Sequence, residues 1–274
     1  MPEPLINWLN AQQENMLSLL ADLVNIDSNS FDKAGVDKVA DSLRVFFDNQ
    51  GIPHETIPLT DHGDTLRAVV SGGDGNRPIL LCGHRDTVFA TGEVEKRPFS
   101  ARDGKAFGPG VADMKPGLVI NAFILAAFHK FGGHPNPLIG LFTGDEEIGS
   151  PSSKSIIIAE AEKARLAFNS EPSRPSGNIV TKRKGGIFCH CAIKGVAAHS
   201  GGFFTEGRSA IQELAHKIQA LHALTDLERG TTINVGLVRG GQSVNTVAAE
   251  ASCDIDIRYQ DTAERDDILT QVKT

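Results

Sequence analysis

The first 70 residues repeat apolar positions with the periods of helices and strands. Residues 5–24 place leucine, methionine and valine at three- and four-residue intervals, which predicts an amphipathic helix. Residues 35–49 have the same period and predict a second helix. Residues 52–57 and 66–70 are short, β-prone segments and predict strands. The chain therefore begins with two helices followed by two strands.

Three continuous apolar runs follow, at residues 78–82, 138–142 and 166–168, and they are typical of strands buried on both faces. Between the first two runs, residues 116–131 predict a helix, with Pro116 in its first turn and two glycines at its end. Strands that alternate with helices indicate an α/β fold, with a mainly parallel sheet and flanking helices.

The pattern changes near residue 177. Residues 178–194 predict a long strand or a hairpin, residues 205–224 a helix, residues 231–238 and 248–259 two strands, and residues 263–274 another helix. This second part is a smaller α+β module. We therefore predict two domains, residues 1–176 and residues 177–274.

Composition and charge bear on the possible partners of the protein and on its cellular location. The 34 acidic and 27 basic residues leave a net charge of −7, which does not favour a nucleic-acid or anionic-membrane partner. No apolar stretch approaches the roughly 18 residues of a membrane span, and the N-terminus does not resemble a secretory signal. The four cysteines lack CxxC spacing, so we interpret them as buried free thiols and expect a cytoplasmic protein.

Polar side chains follow the apolar runs. His84 and Asp86 come after the first run, Glu146 and Glu147 after the second, and Glu171 after the third. In open α/β sheets the carboxyl ends of the strands form the edge where ligands bind. A histidine and several carboxylates at that edge predict a two-metal hydrolytic centre.

Each of these residues also has a structural interpretation when it is considered alone. An isolated histidine is more often a structural or surface residue. Asp113, in a glycine-bounded loop before a helix, could be an ordinary N-cap. Glu146 and Glu147 could be the solvated start of a helix. Adjacent glutamates also suit a division of labour, in which one binds metal and the other handles a water proton.

Together, the segments 83–87, 110–113 and 144–149 resemble the M20 family of metallopeptidases. That family includes glutamate carboxypeptidase, acetylornithine deacetylase and succinyl-diaminopimelate desuccinylase. The resemblance implies a zinc-exopeptidase-like catalytic domain with a smaller lid and dimerisation domain. It implies two Zn²⁺ ions, with Co²⁺ or Mn²⁺ as alternatives, and a cis peptide between Asp113 and Met114. The implied metal ligands are His84, Asp113, Glu147 and Glu171, with Glu146 as the general base and Asp86 as the partner that orients His84.

The second module resembles the family's lid, through which we expect a homodimer. The resemblance implies that His199 reaches the active site of a neighbouring subunit and steadies the oxyanion. It also implies that Asn245 and Arg258 hold the carboxylate of the substrate, which guanidinium geometry suits. Without the resemblance, His199 would be interpreted as a loop histidine, and Arg258 could form a surface salt bridge.

The implied activity is zinc-dependent hydrolysis of an amide bond in a small carboxylate-bearing substrate, a peptide or an N-acyl amino acid, by a carboxypeptidase. The alternatives are an N-acyl-amino-acid deacylase of the same family and a non-catalytic dimeric homologue. The family has a further histidine ligand after the lid, and no histidine here lies in that context. We therefore expect a C-terminally truncated chain that lacks the closing elements of the catalytic domain, either a fragment of a longer enzyme, which we favour because the upstream catalytic positions are intact, or a natural short form that has lost activity.

Overall fold

The structure is a computed structural model that describes residues 3–73 and 75–273. The chain divides between Gly177 and Asn178 into two compact units.

The first unit alternates helices and strands. Its helices are α1 (Glu3–Asn10), α2 (Gln13–Val24), α3 (Lys33–Gln50), α4 (Glu93–Lys96), α5 (Lys115–Lys130) and α6 (Lys154–Lys163), with a 3₁₀ turn at Glu146–Ile148. Its strands are β1 (His54–Ile57), β2 (Thr65–Val70), β3 (Ile79–His84), β4 (Ser100–Arg102), β5 (Lys105–Phe107), β6 (Leu138–Thr143) and β7 (Leu166–Asn169).

The central sheet of this unit is mixed. Its strand order is β1-β2-β6-β3-β7. Strand β3 pairs in parallel with β6 on one side and with β7 on the other. Strands β1 and β2 join antiparallel at the opposite edge, and β2 pairs antiparallel with β6. The predicted α/β class is confirmed, and the parallel arrangement holds for the three strands that precede the candidate site residues.

Helices α2, α3 and α5 pack their apolar faces on this sheet. Leu23, Leu43, Phe47 and Leu118 are all fully buried in one core cluster. The six residues of β6 are buried without interruption, as expected for a central strand covered on both faces. A second, smaller cluster is formed by Leu80, Ile139, Leu141 and Ala164. The prediction of burial on both faces is wrong for β7, which is an edge strand with all four residues exposed.

The second unit is a three-stranded antiparallel sheet covered by helices. Its elements are β8 (Gly185–Lys194), a 3₁₀ turn (Phe204–Glu206), α7 (Ala210–Ala223), β9 (Thr232–Gly240), β10 (Glu250–Tyr259) and α8 (Thr262–Lys273). The strand order is β8-β10-β9. Alternate residues of β8 and β10, including Ile187 and Ile257, contribute to a separate core cluster with Leu214 and Ile268.

Several element boundaries differ from the prediction. The opening segment forms two helices, because the backbone N–H of Gln12 bonds the carbonyl of Leu9 in a tight turn before α2 starts. Residues 178–184 precede the strand, which begins only at Gly185. Helix α6 and the β4–β5 hairpin were not predicted, since both are short and weakly patterned.

Among the described residues, no helix combines the length and apolar character needed to cross a membrane.

Candidate metal centre

The topology brings three chain segments to one edge of the sheet. His84 is the last residue of β3, and β3 lies between β6 and β7. Glu146 and Glu147 form the 3₁₀ turn that follows β6, and Glu171 follows β7 by two residues. Because these three strands are parallel, their carboxyl ends meet, and the side chains that follow them converge.

His84 is buried and faces several carboxylates. Its Nε2 atom lies 3.2 Å from Oδ1 of Asp113, 3.5 Å from Oε1 of Glu171 and 3.7 Å from Oε2 of Glu146. Only 2% of the residue is exposed. Within the described part of the chain, Nε2 has no hydrogen-bond partner. A buried polar atom without a partner is costly, and a metal ion at this position would satisfy it.

Two groups of candidate ligands share this histidine. Among the described residues, His84 combines with Glu146 and Glu171 in one group, and with Asp113 and Glu147 in the other. In each group the ligand atoms lie within 4.8 Å of one another. Imidazole nitrogen and carboxylate oxygen are donors that zinc accepts, so the residues fit a metal centre. Glu146 also belongs to the cluster, beside the four residues predicted as ligands.

Asp86 connects the histidine to the two glutamates. Its side chain is fully buried and accepts a hydrogen bond from Oγ of Ser30 at 2.7 Å. It also accepts the backbone N–H groups of Glu146 and Glu147, each at 3.1 Å. These bonds fix the turn that presents both glutamates. Ser30 belongs to no recognisable sequence motif, so this contact was not predicted from the sequence.

The same residue sets the tautomer of His84. The Nδ1 atom lies 3.0 Å from the carbonyl oxygen of Asp86 and 3.4 Å from its Oδ1 atom. Both partners are acceptors, so Nδ1 carries the proton and donates it. In the neutral ring Nε2 is then unprotonated and presents a lone pair to the carboxylate cluster, as a metal ligand requires.

The electrostatics of the cluster favour a bound cation. Burial alone would lower the pKa of His84, but the hydrogen bond and charge of Asp86 and the charges of Glu171 and Glu146 raise it to about 9. Burial raises the pKa of Glu171 to about 7, with repulsion from Asp113 and Glu146 adding to the effect. Four carboxylates around one imidazole leave excess negative charge, which a divalent cation would neutralise.

Asp113 is held by the residues that follow it. The Asp113-Met114 peptide is cis, as the resemblance implied. The sulfur of Met114 accepts the backbone N–H of His84 at 3.1 Å. The ammonium of Lys115 is buried and donates to the carbonyl oxygens of Leu23 and Ile26, both at 2.8 Å. These contacts fasten the start of α5 to β3 and to the end of α2.

Glu171 depends on a close backbone approach. At Gly117, in the first turn of α5, an added Cβ would lie 2.2 Å from the carbonyl oxygen of Ser170. Only glycine allows the helix to come this near to the segment that carries Glu171. Gly117 is therefore a further residue of the site that sequence reasoning missed.

The second unit holds His199 in a defined tautomer. Its Nδ1 atom accepts the backbone N–H groups of Gly201 and Gly202 at 3.1 and 3.2 Å. Since Nδ1 is an acceptor, the proton of the neutral ring resides on Nε2. His199 is exposed, so this Nε2–H group is an available hydrogen-bond donor.

Asn245 lies beside His199, whereas Arg258 does not. The carbonyl oxygen of Asn245 accepts the backbone N–H of Ser200 at 3.0 Å. Its side-chain oxygen accepts from Oγ of Ser243 at 2.9 Å, which leaves the amide nitrogen as a donor.

Arg258 stands near the other end of β10. It is opposite Gly186, whereas Glu250, next to the His199 loop, is opposite Lys194. Residues 250 and 258 are eight positions apart, which corresponds to about 26 Å of strand. The Arg258 side chain lies over the Phe188 ring and pairs with Asp256 at 2.9 Å. Within one chain, His199 and Asn245 thus lie together, whereas Arg258 lies at a separate position on the same sheet.

The fold and the carboxylate–histidine cluster define a class, that of α/β proteins with a candidate metal site at the carboxyl edge of a mixed sheet. Comparison with known proteins agrees. Residues 181–274 match the peptidase dimerisation domain of the M20 family. The chain is 28% identical over 270 residues to carboxypeptidase G2 of Pseudomonas sp. (strain RS-16), covering 96% of this chain and 63% of that protein. It is 29% identical over 248 residues to acetylornithine deacetylase of Myxococcus xanthus, covering 83% of this chain and 62% of that protein.

A solved structure shows the same fold. An M20 family metallo-carboxypeptidase from Sulfolobus solfataricus superposes with a TM-score of 0.76 at 18% identity, covering 94% of this chain and 74% of the other. The chain therefore contains a match to the M20 peptidase dimerisation domain and shares the fold of an M20 peptidase. It spans a little under two thirds of the length of these two curated relatives.

Proposed function

We propose that the protein hydrolyses an amide bond in a small carboxylate-bearing substrate, as a metal-dependent carboxypeptidase. The observation that carries this proposal is the unpartnered Nε2 atom of His84, buried and aimed at Asp113 and Glu171 at the carboxyl edge of the sheet. In this proposal residues 1–176 form the catalytic domain and residues 177–274 the lid.

We assign the metal to the cluster around His84. His84, Asp113, Glu147 and Glu171 would hold two Zn²⁺ ions, with Co²⁺ or Mn²⁺ as alternatives. When bound, such ions lower the pKa of a water molecule and polarise a carbonyl group. Asp86 keeps the proton on Nδ1 of His84 and so keeps Nε2 available as a ligand.

Glu146 is proposed as the general base. Its side chain is 49% exposed, against 2% for His84, so it can meet both solvent and substrate. It would remove a proton from the attacking water and then deliver that proton to the leaving amine. The backbone bond from Glu146 to Asp86 holds its position relative to the ligands.

The lid residues are proposed to act on the substrate. The Nε2–H group of His199 would donate to the oxyanion that forms at the attacked carbonyl. Arg258 and Asn245 would bind the carboxylate of the substrate. Because Arg258 lies far along β10 from the other two residues, a homodimer in which each lid serves both chains would account for all three roles. The match to a dimerisation domain supports this arrangement.

The similar proteins support two substrate types. Carboxypeptidase G2 is by name a carboxypeptidase, and acetylornithine deacetylase is by name a deacetylase. We favour the carboxypeptidase, since the similarity to carboxypeptidase G2 covers 96% of this chain, against 83% for the deacetylase. An N-acyl-amino-acid deacylase is the second candidate, and a dimeric homologue without catalysis is the third.

The first experiment measures bound metal per chain together with hydrolysis of C-terminal-glutamate peptides and N-acyl amino acids. Two metals with peptide turnover support the carboxypeptidase, whereas preferential turnover of N-acyl amino acids supports the deacylase. Metal binding without turnover, in a chain that sediments as a dimer, supports the non-catalytic homologue.

Adjacent glutamates provide a matched test of the division of labour. Glu146→Gln should retain metal and lose at least about 100-fold in kcat, the lower range for a general base. Glu147→Gln should lose metal affinity, because it removes a charged ligand. The measurements are metal content by mass spectrometry and turnover of the best substrate. If Glu146→Gln remains active, or if it loses metal as Glu147→Gln does, the assignment of the base is wrong.

A further inference from the structure

Two cysteines face each other across the sheet of the second unit. Cys191 on β8 is directly opposite Cys253 on the neighbouring strand β10. Both side chains belong to the inner face, where Cys253 is fully buried and Cys191 packs beside it, half-buried. Because the two residues are directly opposite on one face of the sheet, their side chains are neighbours in this cluster.

The backbone geometry suits a covalent link. Residues directly opposite on antiparallel strands have Cα atoms about 4.5–5.5 Å apart, within the range of about 4.4–6.8 Å that disulfides show. Their Cβ atoms, about 4.5–5.5 Å apart in such pairs, would need to approach by about 0.7–1.7 Å to reach the mean disulfide separation of about 3.8 Å. No change in strand register is required.

The third cysteine of this face lies outside that geometry. Cys189 is opposite Ile255, so Cys253 is its diagonal neighbour. Diagonal neighbours are about 7–8 Å apart, beyond the disulfide range. Cys189 and Cys191 are two residues apart on one strand, with about 6.6 Å between their Cα atoms and parallel side chains. Cys189 is therefore a matched control for Cys191, because both residues lie on the same strand, face the same side of the sheet and are half-buried.

We propose that Cys191 and Cys253 are a thiol pair that closes reversibly into a disulfide when the protein meets a low-molecular-weight disulfide of the glutathione class. In the first step the Cys191 thiolate attacks one sulfur of the small disulfide, forming a mixed disulfide and releasing one thiolate. In the second step the Cys253 thiolate attacks the Cys191 sulfur and releases the second thiolate. Two protein thiols are oxidised, one small disulfide is reduced to two thiols, and the two thiol protons pass to the released thiolates.

Burial determines the order and the speed of these steps. Cys191 is partly accessible and so meets the oxidant first, whereas Cys253 is enclosed in the core. Burial, followed by the neighbouring Cys191, raises the pKa of the Cys253 thiol. Little of Cys253 is then thiolate at neutral pH, so ring closure should be slow and should accelerate as the pH rises.

The link would tie an edge strand of the sheet to its central strand. It would join two residues that are 62 positions apart in the chain. A disulfide that closes a loop of this length restricts the unfolded chain. Oxidation should therefore move the unfolding midpoint of the second unit to a higher denaturant concentration, and reduction should restore the original value.

The test treats the full chain with oxidised glutathione at pH 8. Intact-mass and non-reducing peptide analysis should show a chain that has lost two hydrogen atoms, with the peptides of residues 191 and 253 linked. Cys189→Ser should form the same link at an unchanged rate. Cys191→Ser should form none, and Cys253→Ser should stop at a glutathione adduct on Cys191.

Because Cys253 lies in the core, circular dichroism must first show that Cys253→Ser is folded, and Cys191→Ser tests the proposal independently. A stable glutathione adduct in the wild-type chain, without linkage, would overturn the proposal. So would a link that persists in Cys191→Ser through Cys189. The result does not depend on metal binding or on turnover. The disulfide proposal and the proposed function can therefore fail independently.

Discussion

A single buried carboxylate organises the candidate metal centre at the residue scale. Asp86 meets the Nδ1 side of His84, the hydroxyl of Ser30 and the backbone N–H groups of both glutamates. Burial alone would raise the pKa of this carboxyl, but the hydrogen bonds from His84 and Ser30 lower it below its usual value. Asp86 therefore stays ionised and acts only as an acceptor, which keeps all four donors oriented.

Replacing Asp86 by asparagine keeps the size of the side chain but removes the charge. One of its two terminal atoms becomes a donor and faces other donors, so the turn with Glu146 and Glu147 should loosen. We expect metal affinity to fall by about 10–100-fold, the range for partners behind metal ligands. The measurement is competition with a chromophoric chelator.

The control is Asp22→Asn on the exposed face of α2. An Asp86→Asn variant that is folded and binds metal as tightly as Asp22→Asn would contradict the central role of Asp86.

At the element scale, the ends of the strands determine where the site lies, and contacts at the N-termini of the helices hold the residues around it. Helix α3 begins at a capped N-terminus, where the Asp32 side chain accepts the N–H of Gly35 at 3.0 Å. Its first turn supplies Lys33, which pairs with Asp37 and Asp64. The carbonyl of Val36 accepts the buried guanidinium of Arg85 at 2.8 Å, which connects this helix to the residue beside His84.

The cap of α3 should contribute measurably to stability. Asp32→Ala removes an acceptor from the first turn and should lower the free energy of unfolding by about 1 kcal/mol. Chemical denaturation gives this value directly. Asp48→Ala, in the last turn of the same helix, is the control and should be neutral or slightly stabilising, because an acidic side chain there opposes the helix dipole. Equal losses in the two variants would show that the cap contributes nothing specific.

At the scale of the whole molecule, the main cores of the two units are separate. The first is built around Leu43 and Leu118 under the mixed sheet, and the second around Ile257 and Leu214. Every candidate metal ligand belongs to the first unit. Metal binding should therefore stabilise one unit selectively by mass action.

Calorimetry tests this separation. Leu43→Ala should lower one unfolding transition, with a cost of about 2–5 kcal/mol for a fully buried leucine. Zn²⁺ should raise the same transition. Ile257→Val, costing about 0.5–1.5 kcal/mol, should lower a second transition that Zn²⁺ leaves unchanged. A single transition that responds to both substitutions and to zinc would mean that the two units unfold together.

Much of the site could be predicted because its residues stand at the ends of strongly patterned strands. His84, Glu146, Glu147 and Glu171 follow apolar runs that a sequence shows clearly, and parallel strands bring such ends together. The supporting residues could not be predicted in this way. Ser30, Met114 and Gly117 carry no motif, and each acts through a contact with a residue distant in the chain.

The sequence by itself determined the α/β class, the change of character near residue 177 and the positions of His84, Glu146, Glu147 and Glu171 after apolar runs, because periodicity and residue chemistry are local properties. The set of ligands, with Asp113, was what the family resemblance implied. Tertiary structure decided which of those side chains meet, that β2 runs antiparallel to the other four strands of the central sheet, and that Asn245 and Arg258 lie far apart in one chain. It also paired Cys191 with Cys253. These features depend on strand order and register, and those are set by which faces bury each other across the whole chain.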